Sequence, residues 1–475
     1  MFARLLYNRL EPILDQEQPP QQAGFRRKFS TDDHLFTDEW QLPLWTATLD
    51  FKKAFDTVSH TALWNALAAQ NVPGNYITLI TKLYADQTGT VHTDKASREF
   101  NIQRGTKQGD PLSSLLFNAL SEHIFRRCQP TWERRDYGLE LSSGCRRLTD
   151  LRFADDVILF GTSLRQVSAL LTDIQREALA TGLELHPDKT KILHNQRQRR
   201  TRRKPDIANI NNLQIEILPY TESQKYLGRK FTFDQPHDAE VDSRIAAGWR
   251  KFHVWKQELT TRTYSLLGRL RLFNGTVTPT VLYGCSSWTM TTERHNRLRR
   301  VQRQMLRMIL GSPRRQIAQT TPAPQHDAPT STDSTDSTKS TATDDEATAE
   351  QPREDLTLEP WAVWVKRTTH EAERHLARLN IQDWSTIQKQ RKEQLFHTIA
   401  QETHKWTHRA LHWDPETTHQ HARRRAGHPK TRWTDDFTRL ISNEDSLPEQ
   451  HAPTHHPSRT INRNSPRLGM TGRTY

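Results

Sequence analysis

Three aspartates in the first third of the chain have the residue type and the spacing that metal-dependent chemistry requires. Asp50 lies near the end of TATLDF (46–51), an apolar, β-branched segment that favours a strand. Asp155 and Asp156 lie at the centre of LTDLRFADDVILFG (148–161), whose two apolar runs predict a hairpin with both aspartates at its turn. Carboxylates from two adjacent elements can together hold two Mg²⁺ ions about 3.5–4 Å apart.

The aspartate pair taken alone has a simpler interpretation. Aspartate is common in turns because its side chain bonds its own backbone, and this would account for Asp155 and Asp156. Asp50 changes the balance, because a packed strand normally has a hydrophobic or neutral residue at such a position and a buried carboxylate needs a metal or a basic partner. The three carboxylates together predict a phosphoryl-transfer site, since that reaction depends mainly on positioning and charge neutralisation.

Helices with clear start signals flank these two elements. The first is expected at about 59–70 and is opened by a serine N-cap. A second begins at Asp110 and Pro111, in the order that helix starts prefer, an acidic N-cap followed by proline. A third is expected at about 163–181 and ends at Gly182. Each has an apolar stripe at helical spacing, which favours packing against a core.

The composition indicates a basic protein that is not one compact globule. Only 34% of the 475 residues are hydrophobic and the mean hydropathy is −0.84, so part of the chain must be disordered or very exposed. The charge surplus of +13 favours a polyanionic partner, although a merely soluble basic protein also fits it. Three cysteines without a C-x-x-C pair exclude a disulfide framework and a cysteine-rich zinc knuckle, and they fit a reducing compartment. No apolar run approaches the length of a membrane span.

Five stretches differ in composition, and their limits predict the domain organisation. Residues 1–235 alternate strand-like and helix-like patterns, as a mixed α/β domain does. A helical, basic region (236–312) follows, and then a linker (313–357) rich in Thr, Ser, Asp, Ala and Pro that cannot bury enough surface to fold. The last two stretches are a basic, tryptophan-rich region (358–440) and a polar tail (441–475) that is expected to be disordered.

Six sequence blocks resemble, in order and approximate spacing, those of the reverse transcriptases of the LINE (non-LTR retrotransposon) kind. They are QAGFRRKFSTDDHLF (22–36), LDFKKAFDTVSH (49–60), RGTKQGDPLSSLLFNAL (104–120), FADD (153–156), GLELHPDKTKIL (182–193) and KYLG (225–228). The resemblance implies an α+β fold with a right-hand polymerase palm at 45–235, an antiparallel sheet backed by helices. It also implies truncated fingers at 1–44, a helical thumb at 236–312, and then the disordered linker and a small helical C-terminal region.

The resemblance gives the three aspartates individual roles. Asp50 and Asp155 would be ligands shared by two Mg²⁺ ions, with Mn²⁺ as the alternative metal, and Asp156 would be the third and least critical carboxylate. One ion would activate a primer 3′-hydroxyl, and the other would steady the leaving pyrophosphate.

Two further blocks match positions that contact the incoming nucleotide in this family. Phe55 resembles the aromatic steric gate that excludes a 2′-hydroxyl, although a core phenylalanine at the helix start would look the same. Gln108 and Gly109 resemble the segment that contacts the nucleotide and the template, and by themselves they are only a good turn before a helix.

The last two blocks match a lysine and a primer-binding turn. Lys189 resembles a lysine that approaches the triphosphate as a proton donor, with a solvated lysine after a proline as the alternative. Tyr226, Leu227 and Gly228 resemble the turn that grips the primer strand.

The basic residues of the helical region would line a duplex and contact phosphates rather than bases. The run RQRRTRRK (197–204) has three open interpretations: a nuclear localisation signal, a phosphate-binding loop or a solvated insertion. The tryptophans of 358–440 equally fit base stacking or a small helical core. The thumb cations in question are Lys251, Lys256, Arg262, Arg269, Arg271 and the arginines from Arg294 to Arg315.

The sequence departs from the family at its N-terminal side. MFARLLYNRLEPIL (1–14) resembles only the final fingers helix, so the lysine and arginine that clamp the triphosphate in this family are expected to be lacking. Neither the endonuclease of these elements nor a cysteine-rich knuckle is recognised, so an endonuclease would be supplied separately.

The sequence therefore leaves two functions open. The first is an RNA-directed DNA polymerase that uses an RNA template, a DNA primer and dNTPs, in the nucleus or the cytoplasm and neither secreted nor bound to a membrane. The second is a catalytically inactive retroelement remnant that only binds nucleic acid. The intact Asp50, Asp155 and Asp156 favour the first, whereas the lacking clamp and the low-complexity linker favour the second.

Overall fold

The computed structural model describes most of the N-terminal three quarters of the chain. The described residues are 2–24, 26, 43–92, 97–107, 109–141, 144–196, 206–318, 356–411, 433 and 435. The basic run 197–204, the body of the predicted linker and the predicted tail lie outside them. The chain divides into two compact units, Met1–Trp433 and Thr434–Tyr475, and the description below concerns the first.

The N-terminal part of this unit mixes helices with one six-stranded sheet. The sheet order is β4-β5-β1-β6-β8-β7, and all of its pairs are antiparallel except β6 with β8. The helices are α1 (Phe2–Glu17), α2 (Ala54–Thr57), α3 (His60–Ala68), α4 (Gly74–Tyr84), α5 (Pro111–Arg134) and α6 (Leu164–Ala180). The strands are β1 (Trp45–Leu49), β2 (Thr88–Gly89), β3 (Phe100–Asn101), β4 (Asp150–Phe153), β5 (Asp156–Gly161), β6 (Lys191–His194), β7 (Asp206–Ile210), β8 (Leu213–Leu218), β9 (Gln224–Tyr226) and β10 (Arg229–Phe231).

The start signals in the sequence place three of these helices correctly. Ser59 accepts a hydrogen bond from the backbone nitrogen of Ala62 (3.4 Å) at the start of α3, and Asp110 accepts one from Leu112 (3.0 Å) at the start of α5. Helix α6 lies within the predicted range 163–181, and its N-cap is Ser163. Helix α5 runs to Arg134, well past its predicted apolar stripe, because its C-terminal turns bury further large side chains of the same core.

The two faces of the sheet are covered by different parts of the chain. Helices α3, α5 and α6 pack with α1 and one face of the sheet into the largest core, which includes Leu49, Val157 and Leu159. On the other face, Ile158 and Phe160 pack with Tyr226 and Leu227 of the β9–β10 hairpin. Strand alternation sends successive residues of β5 to opposite faces. The predicted α+β fold, an antiparallel sheet backed by helices, is therefore confirmed, with β6–β8 as its one parallel pair in the described sheet.

The second half of the described chain is helical, as predicted. Its helices are α7 (Pro236–Val254), α8 (Lys256–Thr260), α9 (Leu266–Val281), α10 (Thr292–Leu310), α11 (Trp361–Arg378), α12 (Trp384–Gln401) and α13 (Trp406–Leu411). Trp384 is fully buried in the core of α7, α9 and α10, and its ring stacks on Phe273 with 5.8 Å between centroids. The core interpretation thus holds for Trp384, whereas the Trp361 side chain is 63% exposed.

Ordered backbone extends into both ends of the predicted linker. Strands β11 (Gln316–Ala318) and β12 (Leu356–Leu358) form an antiparallel pair, so the predicted limits 313 and 357 are too wide. The physical reason is local: Arg314 donates to the carbonyl of Glu359, and the Glu359 carboxylate pairs with Arg367 at 2.8 Å. The two linker ends are therefore tied together at α11.

Among the described residues, no helix is both long enough and apolar enough to cross a membrane.

Candidate active site

The register of the central strands brings the three aspartates to one end of the sheet. The β1–β5 ladder ends at the pair Leu49–Val157, so Asp50 and Asp156 leave it side by side. Neighbouring Cα atoms in an antiparallel pair are about 4.5–5.5 Å apart. Strand β4 pairs Phe153 with Asp156, which leaves Asp155 in a two-residue turn between them.

This turn has a strained backbone. Ala154, its first residue, has φ = 60°, a left-handed conformation that costs a non-glycine residue about 1–2 kcal/mol. Strain of this kind persists only where the surrounding structure imposes it, and it is common at functional sites. The predicted hairpin with aspartates at its turn is thus present, and its conformation is not that of an unconstrained loop.

The carboxylates at this end of the sheet repel one another. Burial, followed by the charges of Asp155 and Asp50, raises the pKa of Asp156 to about 6. The pKa of Asp155 is also raised, first by burial and then by the charge of Asp50. Like charges held together at this distance are stabilised by a bound cation, so the donor set fits a divalent metal ion. No compact group of three or more potential metal ligands is present among the described residues, so the three side chains would have to close around such an ion.

Lys189 lies at this cluster. Its Nζ is 3.3 Å and 3.5 Å from the two carboxylate oxygens of Asp50. The backbone holds the pair in place, because His186 donates its N–H to the carbonyl of Asp50 (2.8 Å) and the Asp50 N–H donates to the Thr190 hydroxyl (3.4 Å). An ammonium group therefore stands beside the carboxylate that the sequence predicts to be a shared metal ligand.

Phe55 lies at the start of α2, one turn after Asp50. Its ring stacks on Phe117 of α5 with 4.7 Å between centroids, and its carbonyl accepts the N–H of Thr106 (2.7 Å). The side chain is half-buried against the main core. These contacts fix the ring, and they are compatible with both the steric-gate and the core interpretation. Gly109 is exposed with φ = 86° just before α5, and Gln108 lies outside the described residues.

Tyr226, Leu227 and Gly228 form the tip of the β9–β10 hairpin. Tyr226 is buried beneath the six-stranded sheet, and burial followed by the charges of Asp156 and Asp150 raises its pKa well above the ordinary tyrosine value. Leu227 and Gly228 make the turn with φ values of 49° and 70°. The predicted primer-binding turn therefore lies next to the aspartates.

Sequence reasoning missed two residues that shape the turn between β4 and β5. Gly24, in the QAG block, packs so closely that a Cβ there would overlap the backbone nitrogen of Ala154 and lie 2.7 Å from the carbonyl carbon of Phe153. Asn118 of α5 holds this segment by donating to the Gly24 carbonyl (2.6 Å). The block itself was recognised, and its glycine was the available sign that two backbones meet.

The other missed residue is Arg152, which precedes the turn on β4. Its side chain is 0% exposed, and it pairs with Asp150 (3.0 Å) and with Glu122 of α5 (2.9 Å), both of them buried. The guanidinium also lies 4.3 Å from the centroid of the Phe125 ring. This ion cluster joins β4 to α5 directly behind the turn.

Most of the predicted phosphate-contacting arginines are engaged within the helical half. The prediction that Arg269 contacts phosphates is wrong. Its side chain is buried and donates to the carbonyls of Leu259 and Ile309. Arg294 pairs with Asp238 (2.5 Å), which holds the pKa of that carboxyl below its ordinary value through a side-chain hydrogen bond. Lys256 and Arg271 remain exposed and form no ion pair with any residue that the structure describes.

Comparisons with known proteins find relatives of this chain. Residues 1–231 match the family described as reverse transcriptase (RNA-dependent DNA polymerase). The chain is 30% identical over 190 residues to the retrovirus-related Pol polyprotein from type-2 retrotransposable element R2DM of Drosophila melanogaster, covering 39% of the chain and 17% of that polyprotein. It is 28% identical over 244 residues to the corresponding type-1 element R2 polyprotein of Popillia japonica, covering 49% of the chain and 33% of that polyprotein.

The chain thus spans a third or less of the length of these two relatives. Among solved structures, a telomerase from Candida albicans in complex with an RNA fragment overlaps 65% of this chain and 56% of its own, with 12% identity and a TM-score of 0.38. The sequence blocks, the palm-like sheet and the matched family agree. Residues 1–231 are therefore similar to the reverse transcriptases of the non-LTR retrotransposon kind.

Proposed function

We propose that this chain is an RNA-directed DNA polymerase that adds nucleotides to the 3′-hydroxyl of a primer. The observation that carries the proposal is the convergence of Asp50, Asp155 and Asp156 at one end of β1 and β5, with the pKa of Asp156 raised to about 6. Carboxylates that repel one another at one end of a sheet need a counter-charge, and a nucleotide-bound metal supplies it.

The roles of the side chains follow from their places around this cluster. Asp50 and Asp155 would hold Mg²⁺, or Mn²⁺ in its place, with Asp156 as the third carboxylate. When bound, the metal supplies a lower pKa for the primer hydroxyl and charge neutralisation for the leaving pyrophosphate. Lys189, whose ammonium group contacts Asp50, would donate a proton to the leaving pyrophosphate. Its side chain would move away from the Asp50 carboxylate to do so and would remain beside the cluster.

The remaining contacts are proposed to select and orient the substrates. Phe55, held by its stack on Phe117, would lie under the sugar and exclude a 2′-hydroxyl. Gln108 and Gly109 would contact the nucleotide and template, and the turn at Tyr226, Leu227 and Gly228 would hold the primer. The partners would be an RNA template, a DNA primer, dNTPs and a separately supplied endonuclease. The protein would act in the nucleus or the cytoplasm.

A primer-extension assay with matched variants tests this function. The purified chain is given an RNA template, a DNA primer, dNTPs and Mg²⁺, and Asp155→Asn is compared with Asp188→Asn, a carboxylate that is 90% exposed. We expect Asp155→Asn to lose about 100-fold or more of the extension rate, with Asp188→Asn near wild type. In the same assay, Phe55→Ala should raise the incorporation of ribonucleotides.

The inactive remnant that only binds nucleic acid is the competing outcome. It predicts no extension from the wild-type chain, with RNA binding retained in fluorescence anisotropy and unaffected by Asp155→Asn. Equal extension rates for wild type and Asp155→Asn would instead place the chemistry elsewhere in the chain.

A further inference from the structure

The β9–β10 turn is held by side chains of the helical half. The Tyr283 hydroxyl, just after α9, donates to the carbonyl of Leu227 at 3.0 Å. Arg244 of α7 donates through Nη2 to the carbonyl of Gly228. Both carbonyls of this two-residue turn are therefore committed to residues that lie outside the sheet.

A buried carboxylate organises these contacts. Glu240 of α7 is 1% exposed, and it accepts from Arg244 Nε (2.7 Å), from Arg229 Nε (3.3 Å) and from the backbone nitrogen of Lys230 (2.7 Å). The Arg244 guanidinium also lies 4.7 Å from the centroid of the Tyr283 ring. We call the set Glu240, Arg244 and Tyr283 the latch. Because its members bind one another as well as the hairpin, the latch fixes the turn as a unit.

The backbone N–H groups of the turn indicate that it binds an anion. With φ values of 49° and 70°, Leu227 and Gly228 present consecutive backbone N–H groups, and neither N–H donates to a residue that the structure describes. Successive N–H groups in such a conformation form a concavity that binds anions. The carbonyls face the latch, so the free N–H groups suit a phosphodiester of the primer strand.

The palm holds strand β9 of the same hairpin. Tyr226 packs with Leu148 and Leu151 under the sheet, and Gln224 donates to the carbonyl of Lys189 (3.1 Å), the residue that pairs with Asp50. The hairpin is thus fixed to the catalytic end of the palm through β9 and to the helical half through its turn. A small shift of the tip would move a bound primer relative to the aspartates.

We infer that Glu240, Arg244 and Tyr283 are positioning residues, which act through the Leu227–Gly228 turn to set the primer 3′ end against the catalytic carboxylates. This inference rests on the proposed polymerase function. It assigns a role in primer placement to residues outside the part of the chain that matches the reverse transcriptase family.

Tyr283→Phe is the most selective test, because it removes the hydroxyl and keeps the ring beneath Arg244. We expect the KM for the primer–template to rise about fivefold, as the loss of one ordinary hydrogen bond would cause, with the KM for dNTP unchanged. Tyr264→Phe is the matched control, since Tyr264 is a 56% exposed tyrosine of the same helical half. Arg244→Lys should act in the same direction, and its effect should not add fully to that of Tyr283→Phe, since both hold one turn.

A set of modified primers separates positioning from a merely structural role. Each primer has one neutral methylphosphonate among its last few linkages. If the latch orients the turn toward a phosphate, one of these primers should lose affinity for the wild type and show no further loss with Tyr283→Phe. A Tyr283→Phe penalty that is the same for every primer would overturn the inference, as would a primer KM equal to that of wild type.

The failure of the inference and that of the proposed function can be told apart. Primer–template affinity is also measured by anisotropy without dNTPs, so it reports on the latch even if the wild-type chain extends nothing. If the wild type extends the primer and Tyr283→Phe binds the primer–template with unchanged affinity, the proposed polymerase function is supported and the role of the latch is contradicted.

Discussion

The palm and the helical half use their charges in opposite ways. At the end of β1 and β5, three carboxylates of like sign are held together, and burial with mutual repulsion raises the pKa of Asp156 to about 6. In the helical half, charges of opposite sign meet, as in Arg294 with Asp238 (2.5 Å) and Arg303 with Glu373 (2.5 Å). Like charges held together cost stability and indicate a binding site, whereas opposite charges held together indicate a scaffold.

A buried ion cluster of the palm can be compared with an exposed ion pair of the helical half. Arg152 in the palm and its partners Asp150 and Glu122 are at most 2% exposed, whereas Arg297 in the helical half and its partner Asp242 are 27% and 63% exposed. Removing one member of a buried pair leaves an uncompensated charge, while exposed pairs contribute little. The two arginines should therefore respond very differently to the same substitution.

Arg152→Met is expected to have the largest effect on stability. It should lower the free energy of unfolding by about 3–5 kcal/mol, because the buried Asp150 loses its cation and Glu122 keeps only its pair with Arg126 (2.7 Å). Arg297→Met, the control, should lower it by less than about 1 kcal/mol. Urea unfolding followed by circular dichroism measures both. Adding Asp150→Asn to Arg152→Met should recover part of the loss, and equal shifts for the two single variants would contradict the distinction between buried and exposed pairs.

Gly24→Ala is expected to have the next largest effect. The new Cβ would overlap the backbone of Ala154 and push the turn that carries Asp155. A displacement of about 1 Å can cost about 100-fold in rate, and overpacking of this kind costs about 1–3 kcal/mol of stability.

Gly275→Ala is the matched control for Gly24→Ala. Gly275 lies within α9, and a Cβ added there would have no other atom within 4 Å. This variant should stabilise the helix by up to about 1 kcal/mol and leave primer extension unchanged. Extension by Gly24→Ala at the wild-type rate would show that the close approach does not govern the turn.

The salt dependence of RNA binding should distinguish free from paired cations in the helical half. Arg271→Ala should reduce the slope of log affinity against log salt by about 1, as expected for one lost phosphate contact. Arg297→Ala should leave the slope unchanged, because that guanidinium is already neutralised by Asp238 and Asp242. Anisotropy titrations at several salt concentrations measure both slopes. Equal slopes for the two variants would show that exposure and pairing do not select the residues that contact phosphate.

The residues that sequence could place are those whose positions depend on backbone register. Asp50 and Asp156 meet because strand pairing is set by the apolar pattern of β1 and β5. The starts of α3 and α5 depend on local caps, which Ser59 and Asp110 provide. In both cases short-range chemistry fixes the result, so a single sequence is enough.

The residues that sequence misplaced or left open depend on long side chains and on distant partners. Arg269 has the same type and spacing as an arginine on a nucleic-acid surface, and only the packing of α8 and α10 around it shows that it is buried. Trp384 looked equally suited to base stacking, and its place in the core follows from Phe273 more than 100 residues earlier. Periodicity within one helix does not reveal which face meets another part of the chain.

Asp156→Asn is expected to have the smallest effect, and it tests the repulsion among the three carboxylates. The folded chain raises the pKa of Asp156 from an ordinary value of about 3.9 to about 6. Between these values the folded state binds more protons than the unfolded state, so this group lowers stability as pH rises and gives its full penalty above about pH 6. Asp156→Asn removes that penalty, and without metal it should raise stability by about 1 kcal/mol or less, since solvent screens the exposed side chain.

The gain from Asp156→Asn is expected to depend on pH and on metal. It should be near zero at about pH 4, where the folded carboxyl is already protonated, and it should reach its maximum above about pH 6. Millimolar Mg²⁺ should reduce it by stabilising only the wild type, because the cation neutralises the repulsion that the substitution removes. Thermal unfolding with EDTA or Mg²⁺ measures both dependences, with Asp188→Asn as the exposed control. A gain of the same size at both pH values would mean that the three carboxylates do not repel one another. The contrast between the palm and the helical half would then depend only on their ion pairs.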